Sequence, residues 1–220
     1  EDQDNYAIES YNRSRVAIEQ GLFKNEITEV EYNTKKGIKI IDTDEEPLKF
    51  NKEKFLSLKS VFEKNGSITA GNASSLSDGA AAILLGPSEK MNSSGLKPIA
   101  KIIAHASYAM DPIYFTKAPV YAIQKVLQKT DLNINDIDLF EINEAFSCVP
   151  LVAMDELKIP IDKLNINGGA VSLGHPIGAS GARILVTLLN ALQTKNLKYG
   201  IASLCIGGGE ASAIIIEMCN

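Results

Sequence analysis

The residues best suited to chemistry begin with a glycine-rich stretch, residues 165–183, which holds His175 and no acidic side chain. Glycine permits positive φ and a close backbone approach, so a ligand or a second backbone segment is expected against this stretch. Pro176 favours an extended conformation at His175. The helix predicted to follow would present free N–H groups that favour an anion or a thiolate. A buried, hydrogen-bonded histidine is the competing interpretation.

Two further segments carry a thiol and an amide. Cys205 precedes the glycine run 207–209, so its sulfur can face a cleft while the N–H groups of the turn remain free as oxyanion donors. Its other interpretation is a small buried hydrophobe. Asn143 and Glu144 follow a predicted buried strand, where α/β proteins place ligands, although Asn143 could equally cap a helix. Together, thiol, imidazole and amide predict a Cys–His acyl-transfer site.

The remaining candidates suggest structural roles. Cys148 falls in a helical pattern and Cys219 lies one residue from the end of the chain. His105 lies in a strand pattern and is most simply a packed residue. Two histidines and three scattered cysteines give no zinc-binding spacing. The odd, sparse cysteine count favours a reducing compartment over a secreted disulfide framework.

The periodicity of apolar residues predicts the elements that must position these side chains. Helices are expected over residues 3–20, 51–63, 118–129, 145–157 and 177–194. Strands are expected over residues 26–32, 37–42, 67–71, 78–86, 98–109, 137–141, 199–205 and 211–218. Strands that alternate with helices favour a layered α/β fold. Residues 78–85 resemble residues 209–216, which indicates either two similar buried strands or a duplicated unit.

Charge and hydropathy exclude two classes of protein. The net charge of −5 argues against a general nucleic-acid binder. No apolar run approaches the roughly 20 residues that a membrane-spanning helix needs. Residues 1–64 hold 14 acidic and 11 basic side chains, whereas Arg183 is the single charged residue of 165–194. The first stretch is therefore expected at the surface and the second in the interior.

Taken in order, these motifs resemble the thiolase family. The matching segments are EDQDNYAIESYNRS at the start, GNASSLSDGAAA at 71–82, NEAFS at 143–147, NINGGAVSLGHPIGASGAR at 165–183 and CIGGGEASA at 205–213. The YNRS and KAPVYA segments point to the mitochondrial, potassium-activated acetoacetyl-CoA thiolases. The resemblance implies a layered αβαβα fold of two similar halves with an inserted loop domain. Residues 1–55 would be the later part of the loop domain, 56–92 the end of the N-terminal half and 93–220 the C-terminal half.

The resemblance also assigns catalytic roles. His175 would activate a nucleophilic cysteine and help to hold the thioester oxygen, and Asn143 would position a water in an oxyanion hole. Gly207 would supply a backbone donor to a second hole. Cys205, which the residues alone suggest as a nucleophile, becomes the general acid/base at the acetyl α-carbon, with an expected lowered pKa. Family members carry the nucleophile ahead of the loop domain, where none of the three cysteines falls, so this segment alone is expected to be inactive.

Binding positions follow from the same resemblance. The acyl pocket would be walled by Phe115 and Phe146. The coenzyme A positions are Tyr11, Lys49, Phe50, Asn51, Lys54 and Ser74. The potassium positions are Tyr11, Ala70, Gly71, Ala73 and Val171. Lys49-Phe50-Asn51 replaces an Arg-Val-Asp pattern, which keeps a positive charge but loses the planar guanidinium.

The substrates implied are acetyl-CoA and acetoacetyl-CoA, with no covalent cofactor, no nucleic-acid or membrane partner and a homodimer or homotetramer. The mitochondrial matrix is the implied compartment, with the cytoplasm as the alternative. Three other interpretations stay open. They are a 3-ketoacyl-CoA thiolase of fatty-acid degradation, a ketoacyl synthase, whose family lacks this pairing of CxGGG with GHP, and a non-catalytic truncated fragment.

Overall fold

The computed structural model describes residues 1–219. Six strands are found there: β1 (Val30–Thr34), β2 (Gly37–Ile41), β3 (Ala100–Ala109), β4 (Leu139–Ile142), β5 (Tyr199–Ile206) and β6 (Glu210–Met218). The α-helices are α1 (Asp2–Glu19), α2 (Lys52–Leu56), α3 (Ser88–Ser93), α4 (Ala118–Leu127), α5 (Cys148–Leu157), α6 (Ala170–Leu173) and α7 (Ser180–Lys195). Short 3-10 helices lie at Pro47–Lys49, Pro112–Lys117, Ile134–Asp136 and Ile161–Lys163.

The central element is a mixed sheet with the strand order β3, β6, β5, β4. Strand β6 pairs antiparallel with β3 and with β5, whereas β5 pairs in parallel with β4. The small and β-branched side chains of β6 suit a strand with neighbours on both sides. Because β4 and β5 are parallel, their carboxyl ends lie at the same edge of the sheet.

Helices cover both faces of this sheet. Phe140, Ile201 and Ile215 belong to the apolar cluster that includes α4 and α5. Leu139 and Ile216 belong to a second cluster with α7. Neighbouring residues of a strand point to opposite faces, so each strand contributes to both clusters. The layered α/β architecture that the sequence predicts is confirmed.

The N-terminal third packs onto this layered unit through α1. Its buried side chains, among them Tyr6, Ala7, Ser10, Ser14 and Ala17, recur at helical spacing and form one face. Ser10 and Ser14 contact Ser172 of α6. The β1–β2 hairpin is exposed along its whole length. Thus α1 joins the glycine-rich stretch, whereas the hairpin extends away from the core.

Two predicted strands are wrong. Within residues 67–71 only an isolated bridge forms, between Ser60 and Thr69. Residues 78–86 form neither strand nor helix, and Leu84 and Leu85 are 74% and 67% exposed. A strand needs a partner for its backbone donors and acceptors, and residues 1–219 supply none to residues 78–86.

Several boundaries also differ from prediction. The helix expected over 51–63 ends at Leu56, and the strand expected from residue 26 begins at Val30. The helix expected from residue 145 begins at Cys148, so Ser147 is its N-cap and the capping interpretation of Asn143 is wrong. Pro150 then lies in the first turn, where proline causes no break. No helix within residues 1–219 combines the length and apolarity needed to cross a membrane.

Candidate active site

The carboxyl ends of β4 and β5 bring the predicted amide and thiol to one edge of the sheet. Asn143 directly follows β4, and its N–H donates to the Ser203 carbonyl at 2.9 Å. Cys205 lies two residues beyond Ser203 on β5, near the carboxyl end of that strand. Parallel pairing of β4 and β5 therefore places both residues at the same edge of the sheet.

His175 lies beside the amide of Asn143. Its Nε2 is 3.3 Å from Asn143 Nδ2, and its Nδ1 is 2.6 Å from Ser180 Oγ at the start of α7. Ser180 donates its own hydroxyl proton to the Pro176 carbonyl at 2.9 Å, so its oxygen accepts from Nδ1–H. The imidazole is then the neutral Nδ1–H tautomer, with the Nε2 lone pair facing Asn143. The sequence analysis missed Ser180. Its position only five residues after His175, at the start of the predicted helix, could have indicated this contact.

Burial and a nearby charge keep this imidazole neutral. Burial lowers the pKa of His175, and the positive charge of Arg183 lowers it further. The carbonyl of Ser75 accepts the backbone N–H of His175 at 3.2 Å. A cavity of about 830 Å³ adjoins the ring, with residues 76–81 on its far side. The histidine is therefore a neutral base with access to an open space.

The carboxamide of Asn143 has an unused acceptor. The residue is 1% exposed, and its Oδ1 has no hydrogen-bond partner within residues 1–219. Buried polar atoms are normally paired. Such an oxygen suits a donor from a substrate or from a water bound with it.

The thiol of Cys205 does not have the lowered pKa that the sequence analysis expected. Cys205 is 7% exposed within the apolar cluster of α4 and α5. Burial raises its pKa to about 11, with a smaller contribution from the neighbouring Cys148 thiol, and a backbone hydrogen bond opposes the shift. An apolar environment disfavours the thiolate. The expectation is wrong because no cation acts on this sulfur, and the resting group is the protonated thiol.

The predicted acyl-pocket residues are brought together. The rings of Phe115 and Phe146 lie edge to face with centroids 6.2 Å apart. Phe62, which sequence analysis missed, makes the same contact with Phe146. Gly207 is exposed in the turn between β5 and β6, where a Cβ would meet nothing within 4 Å. The aromatic wall and the turn thus flank the strand end that carries Cys205.

The predicted coenzyme A residues fall in two places. Tyr11 stacks on Phe50, with ring centroids 4.4 Å apart and an interplanar angle of 17°. The side chain of Asn51 is engaged as the N-cap of α2, because Lys54 N–H donates to its Oδ1 at 2.9 Å. Exposed Lys49 pairs with Glu46 at 2.7 Å. Ser74 lies apart, with its N–H donating to the Ala145 carbonyl at 3.1 Å.

The predicted potassium residues partly converge. Val171 lies in a small apolar cluster with Phe55, and Tyr11 packs against that cluster. A Cβ on Gly71 would lie 2.5 Å from the Phe55 ring, so this glycine is what lets Phe55 approach. Burial raises the pKa of Tyr11, and the Glu46 and Glu144 carboxylates raise it further.

Two further predicted potassium residues, Ala70 and Ala73, flank Gly71 in the chain. Ala73 forms an isolated β-bridge with Phe146. Among residues 1–219, His, Cys, Asp and Glu side chains form no cluster of three or more that could hold a metal ion. A cation at this place would therefore depend on carbonyl and phenol oxygens.

Fold and site together define a thiolase. The model of the thiolase C-terminal domain matches residues 96–218, and the model of the thiolase N-terminal domain matches residues 1–89. The chain belongs to this family.

Among curated relatives, the chain is 51% identical over 217 residues to an acetyl-CoA acetyltransferase of Yarrowia lipolytica, covering 99% of the chain and 54% of the relative. It is 50% identical over 219 residues to the mitochondrial acetyl-CoA acetyltransferase of Rattus norvegicus, covering 99% and 51%. The chain thus spans about half the length of these relatives.

Solved structures give the same result. A Bacillus anthracis acetyl-CoA acetyltransferase superposes with a TM-score of 0.95 at 42% identity, over 99% of this chain and 56% of that one. Human mitochondrial 3-ketoacyl-CoA thiolase gives 0.90 at 35%, over 99% and 55%. A thiolase from Ascaris suum in complex with coenzyme A gives 0.86 at 39%, over 99% and 56%.

Proposed function

We propose that this chain supplies the acid–base side of a thiolase that reversibly condenses two acetyl-CoA into acetoacetyl-CoA and coenzyme A. The observation that carries the proposal is the neutral His175, held between Ser180 and Asn143 at the strand end where Cys205 lies. Because the chain spans 54% of its relative's length, the activity is proposed for a longer thiolase. Its acyl-accepting cysteine is none of Cys148, Cys205 and Cys219.

In the thiolytic direction, the sulfur of that nucleophile attacks the 3-keto carbon of acetoacetyl-CoA. A carbon–sulfur bond forms, the bond between C2 and C3 breaks, and its electron pair becomes the enolate of acetyl-CoA. Cys205 gives its proton to C2, since burial keeps its thiol protonated at rest. Condensation is the reverse and draws the same proton back to the sulfur.

His175 would take the nucleophile's thiol proton at Nε2, which carries the lone pair. The resulting imidazolium then donates to the thioester oxygen, where negative charge develops. The unpaired Oδ1 of Asn143 would hold a water that adds a second donor. Gly207 N–H would serve the other oxyanion. The nearly uncharged surroundings strengthen these dipoles.

Ligands and organisation extend the proposal. Coenzyme A would lie against the stacked pair Tyr11–Phe50, with Lys49 and Lys54 as phosphate partners, Asn51 at the start of α2 and Ser74 beside the pantetheine. Potassium, which would neutralise local negative charge, would be held by the oxygens of Tyr11, Ala70, Gly71, Ala73 and Val171.

Residues 1–55, 56–92 and 93–220 would belong to the loop domain, the N-terminal half and the C-terminal half. The unpaired run 78–86 would then join strands of that N-terminal half. The protein would be a homodimer or homotetramer of the mitochondrial matrix.

A 3-ketoacyl-CoA thiolase of longer chains is the second candidate, supported by the TM-score of 0.90 to such an enzyme. Both candidates use the same groups, so acyl length distinguishes them. Equal rates on acetoacetyl-CoA and on 3-ketooctanoyl-CoA would favour the second. Activity only on the four-carbon substrate would favour the first.

The deciding experiment uses the complete thiolase with two half-reactions. In Cys205→Ala, deuterium exchange from solvent into the acetyl-CoA methyl should fall at least about 100-fold, because its acid–base group is lost. Exchange of labelled coenzyme A into acetyl-CoA, which needs only acyl transfer, should retain a larger fraction of its rate. Exposed Cys219→Ala is the matched control. Methyl exchange at the wild-type rate in Cys205→Ala would remove the assigned role.

A further inference from the structure

One buried carboxylate connects the elements that surround the site. Glu144 is 0% exposed. Its Oε1 accepts from Tyr6 OH and Asn165 Nδ2, both at 2.9 Å. Its Oε2 accepts from Ser10 Oγ at 2.8 Å and from Val171 N at 3.1 Å. The four donors come from α1, from the loop before α6 and from α6 itself, so a single side chain joins three segments.

The surrounding backbone is shaped to admit this carboxylate. A Cβ on Gly169 would collide with the carboxyl group of Glu144, so only glycine fits there. The N–H of Gly169 donates to Ser10 Oγ at 3.1 Å, which in turn donates to Glu144. Gly169 therefore provides the space in which the carboxylate reaches α6.

Asn143 and His175, the two polar groups of the proposed mechanism, are each connected to Glu144. Asn143 is the residue before Glu144. On the other side, α6 is anchored through Val171 N–H, and His175 follows the end of α6 by two residues. Asn143 and His175, which are 3.3 Å apart, are therefore both connected to Glu144: Asn143 through the backbone and His175 through α6.

We propose that Glu144 is a positioning residue that fixes the separation and orientation of the Asn143 amide and the His175 imidazole. It touches neither substrate nor reacting atoms and acts through its neighbours. Its importance for turnover rests on the proposed function, whereas its control of the geometry does not.

The hydrogen-bond pattern requires a carboxylate and excludes an amide. The orientation of Asn165 is fixed, because Oδ1 accepts Ile142 N–H and Nδ2 donates to Ile142 O, each at 2.8 Å. Each oxygen of Glu144 therefore faces one obligate donor, Asn165 Nδ2 or Val171 N–H. In Glu144→Gln the amide NH₂ would oppose one of these donors in either orientation. An isosteric substitution thus breaks the clamp while leaving the volume unchanged.

The geometric claim is tested on the 220-residue chain by NMR with ¹⁵N-labelled histidine. The chain has two histidines, and His105 in β3 is the internal reference. Wild-type His175 should show the Nδ1–H tautomer. Glu144→Gln should convert it to a mixture of tautomers with His105 unchanged. Glu156→Gln, which removes a surface partner of Lys117, is the matched control and should leave both histidines as in wild type.

A native His105 with unchanged His175 in Glu144→Gln would overturn the proposal. If both histidines move, the variant has lost its fold, and Ser10→Ala replaces it. That variant removes one donor to Glu144 and should shift His175 in the same direction by a smaller amount. An unchanged His175 in folded Ser10→Ala would also contradict the proposal.

Kinetics of the complete thiolase separate positioning from binding. In Glu144→Gln, kcat should fall about 100-fold, as expected for a misplacement of about 1 Å, with KM for acetoacetyl-CoA within about twofold. Glu144→Asp, which keeps the charge, should recover part of kcat. A raised KM with unchanged kcat would overturn the role in turnover. Absence of thiolase activity in the wild type would refute the proposed function and leave the NMR result to decide the positioning.

Discussion

Residues 78–85 and 209–216 have nearly the same composition and pattern, yet they form different structures. The second stretch lies in β6, paired on both sides, with Ile215 and Ile216 0% and 2% exposed. The first stretch is unpaired within residues 1–219, with Leu84 and Leu85 largely exposed. An apolar, β-branched pattern thus gives a strand only where neighbouring strands accept its hydrogen bonds.

The unpaired stretch lies along a groove of about 1100 Å³. Its walls include Leu84 and Leu85 on one side and Leu185 and Leu189 of α7 on the other. An apolar groove beside an unpaired run is the arrangement expected where further strands add to a sheet. Strand β6 thus has its pairing partners within residues 1–219. The proposed longer thiolase would supply those of residues 78–86.

The largest expected effect tests this contrast directly. Ile215→Ala should lower the free energy of unfolding by about 2–5 kcal/mol, because it opens a cavity in the buried cluster. Leu84→Ala should change it by no more than about 0.5 kcal/mol, because the side chain is already exposed. Urea unfolding of the 220-residue chain followed by circular dichroism measures both. Equal losses in the two variants would mean that residues 78–86 are as well packed as β6.

A second test uses a buried ionisable group, Glu141, in the same sheet as β6. Burial raises the pKa of Glu141 on β4 to about 8, while the Arg183 charge opposes this shift. The folded pKa exceeds the unfolded value of 4.5, so the stabilising contribution is full below pH 4.5 and is lost as pH rises to 8. Glu141→Gln should therefore be more stable than wild type at pH 8, by on the order of 4 kcal/mol, and similar at pH 5.

Exposed Glu63→Gln, outside the central sheet, is the matched control and should change stability by no more than about 0.5 kcal/mol at pH 8. Urea unfolding at the two pH values gives the difference. A Glu141→Gln variant less stable than wild type at pH 8 would contradict the stated effect of burial.

The smallest effect concerns His175, whose backbone N–H donates to the Ser75 carbonyl just before the unpaired stretch. Arg183 is the second cause of the lowered pKa of His175, after burial. Arg183→Gln should raise that pKa, by less than burial lowers it, because a positive charge is removed. Histidine ¹⁵N shifts over pH 4–9 measure the change against His105, with exposed Arg15→Gln as the control. A fall in the His175 pKa would contradict the proposed influence of the charge.

The site divides along similar lines. His175 and Asn143 were predicted from sequence because polar residues stand out in an apolar, glycine-rich setting. The donors Tyr6 and Ser10 were not found, since each lies more than one hundred positions from Glu144 in the chain. Ser180 was not found because its contact with His175 depends on the turn that precedes α7. The expected thiolate of Cys205 was wrong because a pKa depends on burial and nearby charge, which no spacing reveals.

The sequence alone determined the family and the layered class of the fold, because these follow from local pattern and from motifs with fixed spacing. It also predicted the imidazole, thiol and amide of the proposed site. Only the tertiary structure decided which of two look-alike runs becomes a strand, which tautomer His175 adopts and that Cys205 rests protonated. Each of these depends on partners brought from distant parts of the chain, and pairing and desolvation are properties of the folded neighbourhood.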